Sequence, residues 1–396
     1  MTTTTARDVD FYELTEEQAL LRGTLQEFAQ AEIAPRASKL DETGEFPWEN
    51  IKKMRELELF GIPFPPEYGG SGLDTLSYAI AIEEISRACA STGITLAAHT
   101  SLGTWPIYRF GTEAQKKKYL PALCSGEKLA AFGLTEPEAG SDAGGTKTRA
   151  VKSGNQYAVN GRKIYITNGS VCGTAVFTAV TTAGAGIRGI SSFIIEKGTP
   201  GFSAGTKERK LGHRASDTVE LLFENVTLPA ENLLGTEGEG FKQFMMTLDG
   251  GRISIGAMSI GIAQASLDAA LKYARERRQF GKAIAEFQAI QLLLADMVTE
   301  VESARLLVYQ TARYKDRGGN FTRHAAMAKL KASTIAMKCA NLAIQIHGGA
   351  GYMADHPVER YFRDAKLMEI GEGTSQIQML VIAREMLREA ANRPGL

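Results

Sequence analysis

Hydrophobic residues recur with a changing period along the chain, and the first part has the period of helices. From residue 14 to about 126 the apolar positions follow helical spacing, first at Leu20, Leu21, Leu25, Phe28 and Ile33. Thr15, followed by two glutamates and a glutamine, predicts a helix start with a hydroxyl cap and an acidic first turn. Further helices are predicted over Tyr78–Ala90 and Glu113–Leu120, so this part is helical.

The pattern changes near Lys128 to short β-branched runs, which continue to about Pro229. They are separated by turn residues and are typical of strands, as at Tyr157–Val159, Lys163–Thr167, Ala175–Phe177, Ser192–Ile195 and Val219–Phe223. Ser153-Gly154-Asn155 and Asn160-Gly161 are hairpin-turn sequences. A β domain, barrel or sandwich, is therefore predicted between helical parts.

Long helical patterns return after Gly240. They are rich in Ala, Leu, Ile and Met and cover Phe241–Arg278, Phe287–Arg317, Thr322–Gly348 and Ser375–Ala391. Four helices of this length predict a bundle, and apolar residues around their whole circumference indicate faces that meet another subunit. The predicted domains are a helical domain over 1–126, a β domain over 127–236 and a helical bundle over 237–396.

Composition and charge narrow the function classes. Among 396 residues, 45 basic side chains balance 45 acidic ones, which argues against a dedicated nucleic-acid binder. The cysteines are far apart and form no CxxC pair, and the histidines lack zinc-ligand spacing, so reduced thiols and no metal site are expected. Residues 1–8 lack a targeting pattern and no apolar run approaches membrane-spanning length. We therefore expect a protein without membrane insertion that is cytoplasmic, or a mature form already trimmed elsewhere.

Three stretches carry candidate chemistry. Gly133–Gly145 crowds glycines and hydroxyls at a strand end, which suits close approach to a ligand but is also typical of a polar loop. Gln345–Met353 holds glycines after a long helix, a pattern that also marks an ordinary helix end. In Arg363–Gln378, Glu372 lies between two glycines just before a helix cap, either open to a substrate or in a solvated loop.

Taken together, the order and spacing of these stretches resemble the acyl-CoA dehydrogenases. The first two stretches agree with both signature patterns of that family, and the likeness runs from Phe11 to about Leu387. Asp74–Ile94 is similar to the short-chain, butyryl-type members. The resemblance implies an α+β multi-domain fold with an N-terminal helical domain, a central β-barrel and a C-terminal four-helix bundle. It also implies FAD as cofactor and a homotetramer.

The resemblance assigns cofactor contacts residue by residue. Phe132, Leu134, Thr135, Gly140 and Ser141 would line the flavin on one side, and Tyr165, Ile166 and Thr167 on the other. The family often has tryptophan where this chain has Tyr165, and a tyrosine can still stack on a ring. Arg277 would reach the diphosphate of FAD in a neighbouring subunit, and Phe280 and Gln288 are further FAD contacts. The adenosine and pyrophosphate side would be held by Gln345, Gly348, Gly349, Thr374, Ser375 and Gln376.

By the same resemblance, Glu372 is the catalytic base. Its backbone N–H and a ribityl hydroxyl of FAD would polarise the thioester carbonyl. Glu372 would then remove the pro-R α proton while the β hydride passes to flavin N5, which converts an acyl-CoA into a trans-2-enoyl-CoA. Electron-transfer flavoprotein would reoxidise the flavin. Some family members place the base at the position of Gly251, which cannot serve here.

Substrate contacts are implied for Ser141, Asp249, Arg252, Gly371 and Gly373. Many members have tyrosine in place of Gly371, and the glycine would leave room for a branched or bulkier short acyl group. The arginine that glutaryl-type enzymes use for the distal carboxylate is replaced by Gly93, which argues against glutaryl-CoA.

Two alternatives to the dehydrogenase stay open at this point. One is an acyl-CoA oxidase or flavin monooxygenase on the same scaffold, since the sequence does not reveal how the product shields the flavin from oxygen. The other, less favoured, is a non-catalytic acyl-CoA-binding protein. The intact set of Glu372, Thr135, Thr167 and Arg277 weighs against it.

Overall fold

The computed structural model describes residues 11–392, so the interpretation of residues 1–8 falls outside the described part. The N-terminal helices are α1 (Glu16–Phe28), α2 (Ala37–Thr43), α3 (Trp48–Glu56), α4 (Thr75–Ala88), α5 (Ala90–Ala97), α6 (Trp105–Phe110) and α7 (Glu113–Cys124). Thr15 caps α1 as predicted: its hydroxyl accepts from the Gln18 N–H, and the Gln18 side chain accepts from the Thr15 N–H. This reciprocal capping fixes the helix start.

The middle of the chain folds into one mixed sheet. Its strands are β1 (Leu129–Gly133), β2 (Arg149–Ser153), β3 (Gln156–Thr167), β4 (Cys172–Val180), β5 (Ile190–Glu196), β6 (Phe202–Ala204), β7 (Thr218–Pro229) and β8 (Leu233–Leu234). They are ordered β6-β7-β3-β2-β4-β5-β8, and β1 pairs in parallel with β4. The predicted hairpin turn at Ser153–Asn155 joins β2 to β3.

The second predicted hairpin turn, Asn160-Gly161, is wrong. Both residues lie inside β3, where the pairing with β7 shifts register between Val159 and Gly161. Gly161 has a φ of +149°. A glycine inside a strand often marks such an irregularity, so a local turn signal was in fact a bulge in a long strand.

The C-terminal helices agree closely with the predicted ones. They are α8 (Gly240–Glu276), α9 (Gln288–Asp316), α10 (Thr322–His347), α11 (Val358–Met368) and α12 (Ser375–Ala391), and a small hairpin of β9 (Arg278–Gln279) and β10 (Lys282–Ala283) follows α8. Helix α11 was not predicted, because it is short and carries many charged side chains. The architecture of a β region between two helical regions is confirmed.

Helix α8 lies at the centre of the helical core. It packs against α10 and α9 of the C-terminal region and against α4 of the N-terminal region. By length and composition α8 could cross a membrane, but 83% of its most apolar window is buried inside the protein. Burial of this extent is typical of a core helix. The four cysteines are buried, and none of them forms a disulfide.

Candidate active site

The strongest candidate for chemistry lies on the short loop between α11 and α12. Helix α11 ends at Met368, and Thr374 caps α12 by accepting from the Ile377 N–H at 3.3 Å. Between them Glu372 and Gly373 have φ values of +53° and +96°. A glutamate in the left-handed region is strained, and such strain persists only where the surroundings enforce it.

The side chain of Glu372 points against helix α8. A Cβ placed on Gly251 would lie 2.1 Å from Glu372 Oε2, so the carboxylate occupies the space that a side chain at Gly251 would need. Oε2 is buried and has no hydrogen-bond partner among the described residues. This desolvation raises the pKa of Glu372 to about 7, opposed by the positive charges of Lys329 and Arg252. A carboxylate of this kind is suited to act as a base near neutral pH.

The two cations near Glu372 differ in their partners. Arg252 is buried and donates to Asp249 at 2.5 Å, and Asp249 also accepts from the Thr322 hydroxyl at 2.7 Å. Lys329 is completely buried and donates to the Gly373 carbonyl at 2.8 Å. The charge of Arg252 is therefore balanced within the site, whereas Lys329 contacts a neutral group.

The two predicted flavin-contacting stretches lie side by side. The Ile164 N–H donates to the Thr135 carbonyl at 2.8 Å, which joins strand β3 to the loop after β1. The β3–β7 pairing shifts register between Lys163 and Ile166. Within this irregularity Tyr165 has a φ of +59° and is 64% exposed. A bulge can redirect a side chain in this way, and here it presents an aromatic ring to the surface.

A buried ion pair supports the same loop. Lys163 Nζ donates to Glu136 Oε1 at 2.7 Å and to the Leu134 carbonyl at 3.3 Å. Glu136 also accepts from the N–H groups of Lys147 and Thr148. Both charged side chains are almost fully buried. Sequence inspection did not identify this pair, although a lysine within a β-branched run was its visible signal.

Other predicted cofactor contacts are largely at the surface of the single chain. Arg277, Phe280, Gln288, Gln345, Gly348, Gly349 and Gln376 are exposed, as are Gly140 and Ser141, whereas Phe132, Leu134, Thr167, Thr374 and Ser375 are partly buried and Ile166 is buried. Within residues 11–392 no side-chain hydrogen bond joins Arg277 or Gln288 to the loop after β1. These groups are thus not assembled into one site by this chain's own contacts.

Comparison with known proteins decides the family. Residues 15–127, 131–226 and 238–387 match the N-terminal, middle and C-terminal domain models of acyl-CoA dehydrogenase. The short-chain-specific acyl-CoA dehydrogenase of Clostridium acetobutylicum is 52% identical over 377 residues, which are 95% of this chain and 100% of that protein. The chain belongs to the acyl-CoA dehydrogenase family.

Solved structures agree with this membership. Butyryl-CoA dehydrogenase from Megasphaera elsdenii superposes with a TM-score of 0.94 at 46% identity, covering 96% of this chain and 100% of that one. A chain solved in work on the electron-transferring flavoprotein of Acidaminococcus fermentans and flavin-based electron bifurcation gives a TM-score of 0.94 at 50% identity, with coverage of 96% and 100%. The predicted family and its three-part architecture are confirmed.

Within this acyl-CoA dehydrogenase fold, the residues around Glu372 come from several elements. Gly251, Arg252 and Asp249 come from α8, and Lys329 comes from α10. Gln378 of α12 is completely buried and donates to the Glu372 and Gly373 carbonyls at 3.1 and 2.9 Å. Neither Lys329 nor Gln378 was identified from the sequence. A lysine in an otherwise apolar helical run was the available signal for the first.

Proposed function

We propose that this chain is an FAD-dependent dehydrogenase of short-chain or short branched-chain acyl-CoA, with Glu372 as the base that removes the α proton. One observation carries the proposal. The Glu372 carboxylate is held on a strained turn, is desolvated and forms no ion pair with any residue of the described range 11–392, so it can accept a proton near pH 7. The similarity to butyryl-CoA and short-chain enzymes supports the choice of substrate class.

The residues present fit the proposed FAD. A Cβ placed on Gly140, Gly348 or Gly349 would meet no atom within 4 Å, so open space lies at the positions assigned to cofactor contact. The exposed ring of Tyr165 offers a stacking surface, and the N-terminus of α12 offers N–H groups to an anionic phosphate. Bound FAD would supply the acceptor for the β hydride.

In the proposed reaction the chain's own residues place and activate the base. The backbone N–H of Glu372 would donate to the thioester carbonyl, which makes the α C–H acidic enough for a carboxylate. Tyr78 is buried near Glu372, and burial raises its pKa well above the usual value, so its phenol stays neutral and does not compete as a base. Substrate entry would exclude further water from the buried Oε2.

Two glycines bear on the acyl group. A Cβ on Gly371 would meet only atoms of Leu367, at 3.5–3.9 Å, so the space next to the base is open and supports a branched short chain. A Cβ on Gly93 would lie 2.0 Å from Ser86 Oγ. An arginine at that position would require rearrangement, which supports the exclusion of glutaryl-CoA.

The proposal includes two partners. Electrons would pass to an electron-transfer flavoprotein. This is supported by the similarity to the chain solved in the work on the electron-transferring flavoprotein of Acidaminococcus fermentans. A homotetramer is supported by the exposed hydrophobic side chains of the C-terminal region, among them Phe280, Leu292, Tyr352, Leu380 and Leu387. An apolar surface of this kind is typical of a subunit interface.

The decisive experiment is anaerobic flavin reduction by butyryl-CoA. Glu372→Gln should retain FAD and bind acyl-CoA but lose reduction by about 10³-fold or more, because the amide cannot accept the proton. Glu113→Gln is the control, since the Glu113 carboxylate is exposed on α7 and accepts from Lys116, away from Glu372. The wild-type rate should rise with pH through about 7 as the Glu372 carboxylate forms. Near-normal reduction by Glu372→Gln would place the base elsewhere.

A substrate series and an acceptor test complete the assignment. The rate at which the flavin absorbance bleaches anaerobically with butyryl-, isobutyryl-, 2-methylbutyryl-, isovaleryl- and octanoyl-CoA would rank these acyl groups as substrates. Reoxidation in air, with and without electron-transfer flavoprotein, separates dehydrogenase from oxidase. Turnover that oxygen alone supports equally well would reject the dehydrogenase in favour of an oxidase.

A further inference from the structure

Lys329 occupies an unusual position for a lysine. It lies in the N-terminal third of α10, between Ala328 and Leu330, and none of its surface is exposed. Burying an ammonium group is costly unless something compensates it. Among the described residues no carboxylate oxygen lies within 4.0 Å of its Nζ, and its hydrogen bond goes to the Gly373 carbonyl.

That hydrogen bond holds the turn that carries the base. Gly373 follows Glu372 directly, and both have positive φ. The Gly373 carbonyl also accepts from Gln378 Nε2, so it accepts hydrogen bonds from one side chain of α10 and one of α12. Two donors on one carbonyl restrict the turn to one conformation, which fixes the direction of the Glu372 side chain.

The charge of Lys329 is also directed at the base rather than neutralised. The other nearby cation, Arg252, is paired with Asp249. Lys329 is close enough to act on Glu372 through space but makes no contact pair with it. A contact ion pair would hold the carboxylate and stop it from accepting a proton, whereas a charge at a distance favours ionisation and leaves the oxygens free.

We propose that Lys329 is a positioning residue for the reaction, anchoring the Glu372–Gly373 turn and supplying the uncompensated positive charge that the ionised base faces. The proposal rests on the assignment of Glu372 as base. Burial lowers the pKa of Lys329 to about 8, and Glu372 opposes this, so the ammonium is largely charged at pH 7. Lys329 does not touch the substrate in this proposal; it acts through Glu372.

Other titratable groups also lie around Glu372 and Lys329. Arg252 of α8 acts on Glu372, and Tyr78 of α4 lies close enough for the charge of Glu372 to act on it. Glu369 at the end of α11 acts on Lys329, and Asp249 pairs with Arg252 and is itself affected by Arg384 and Glu385 of α12. Arg252 stays charged throughout the neutral range, and Tyr78 stays neutral. The ionisation of Glu372 and that of Lys329 are therefore the changes that matter between pH 6 and 9.

The test uses the flavin-loaded enzyme with two replacements of Lys329. Lys329→Gln keeps a hydrogen-bond donor for the Gly373 carbonyl but removes the charge, and Lys329→Arg keeps the charge. Removing the charge should raise the pKa of Glu372, so the acid limb of the rate of flavin reduction moves up by about one pH unit. The rate at pH 7 then falls about fivefold and recovers by pH 9. Lys329→Arg should keep the limb near its wild-type position.

Lys331→Met is the matched control, because Lys331 lies on the same helix but pairs with Glu300 of α9. Its acid limb should be unchanged. A glutamine variant whose rate falls equally at all pH values, or does not fall, overturns the proposal. Should that variant fail to fold, Lys329→Arg decides. If the acid limb of its rate of flavin reduction moves up by a full pH unit although the charge is retained, the proposal for Lys329 is also overturned.

A second measurement separates this proposal from the proposed function. The infrared carboxyl band of Glu372, obtained by difference from Glu372→Gln in substrate-free protein, reports its titration without any turnover. An upward-shifted titration in Lys329→Gln supports the coupling even if no acyl-CoA reduces the flavin, in which case only the proposed function fails. If the Glu372 titration in Lys329→Gln is unshifted although the wild-type enzyme reduces its flavin, only the proposed role of Lys329 is rejected.

Discussion

At the scale of single residues, the site depends on Gly251 having no side chain. Glu372 Oε2 lies only 2.1 Å from the position that a Cβ of Gly251 would take, and the Leu102 side chain lies 2.9 Å from the same position. Neighbouring Gly250 is different, because its added Cβ would meet only Lys315 Nζ at 3.9 Å. Two adjacent glycines of one helix therefore have different roles: Gly251 makes room for the Glu372 carboxylate, the proposed base, and Gly250 does not.

This difference gives a paired prediction. Gly251→Ala should displace the Glu372 carboxylate and slow flavin reduction by about tenfold or more, since misplacing a reacting group by ~1 Å has effects of that size. Gly250→Ala should leave the rate unchanged and stabilise the helix by up to about 1 kcal/mol. Stopped-flow reduction and thermal unfolding of both variants measure this. Equal rates in the two variants would contradict the packing of Glu372 against α8.

The sequence identified some residues of the candidate site but not others. Glu372 was assigned because its flanking glycines fit a family pattern, and the structure adds its positive φ and its desolvation. Lys329 and Gln378 were missed, because their roles depend on hydrogen bonds to carbonyls of the turn between α11 and α12. These carbonyls are 44 residues from Lys329 and 5–6 residues from Gln378 along the chain. Helical periodicity places such residues on a face but does not state which carbonyl they meet.

At the scale of elements, the loop after β1 depends on the Lys163–Glu136 pair. Lys163→Met should leave Glu136 buried without its cation, at a cost of about 3–5 kcal/mol, and loosen the Leu134–Thr135 backbone that is assigned to the flavin. We expect weaker FAD retention, measured by equilibrium release of FAD, and a lower unfolding midpoint. The double variant with Glu136→Gln should recover part of the stability, because it removes the unpaired charge.

The control for this element is Lys152→Met in the β2–β3 hairpin. Lys152 is exposed and pairs with Glu237 at 3.7 Å, an arrangement that contributes at most about 1 kcal/mol. Its FAD affinity and stability should match those of the wild type. Wild-type FAD affinity in Lys163→Met would show that the ion pair does not order the flavin loop.

Elements also show where pattern analysis succeeds and where it does not. The long helices α8, α9 and α10 were predicted almost to the residue, since many turns of apolar spacing average out local exceptions. Helix α11 was missed, because it has only eleven residues and several of them are charged, so few apolar positions show helical spacing. Asn160-Gly161 was misassigned, because a turn dipeptide and a strand bulge use the same residues.

At the scale of the whole molecule, the single chain leaves hydrophobic side chains in water. On α12, Leu380 and Leu387 are each 65% exposed, and Met379 and Met386 are 55% and 50% exposed. Both pairs are seven residues apart and so share one side of the helix. Several predicted cofactor contacts, Arg277 and Gln288 among them, are exposed in the same C-terminal region. A tetramer would explain both observations, since it would cover the apolar side chains and bring the cofactor contacts of one subunit to another.

The tetramer gives the last prediction. Leu380→Glu combined with Leu387→Glu should lower the mass measured by light scattering from four chains to two or one, because a buried, unpaired carboxylate in an interface is costly. Leu20→Glu is the control: Leu20 is 72% exposed on α1, and its replacement should leave the mass unchanged. The dissociated variant should keep its helical content by circular dichroism yet bind FAD more weakly, since Arg277 would no longer reach a neighbouring subunit. A wild-type chain that is monomeric and still holds FAD tightly would contradict both the assembly and the shared site.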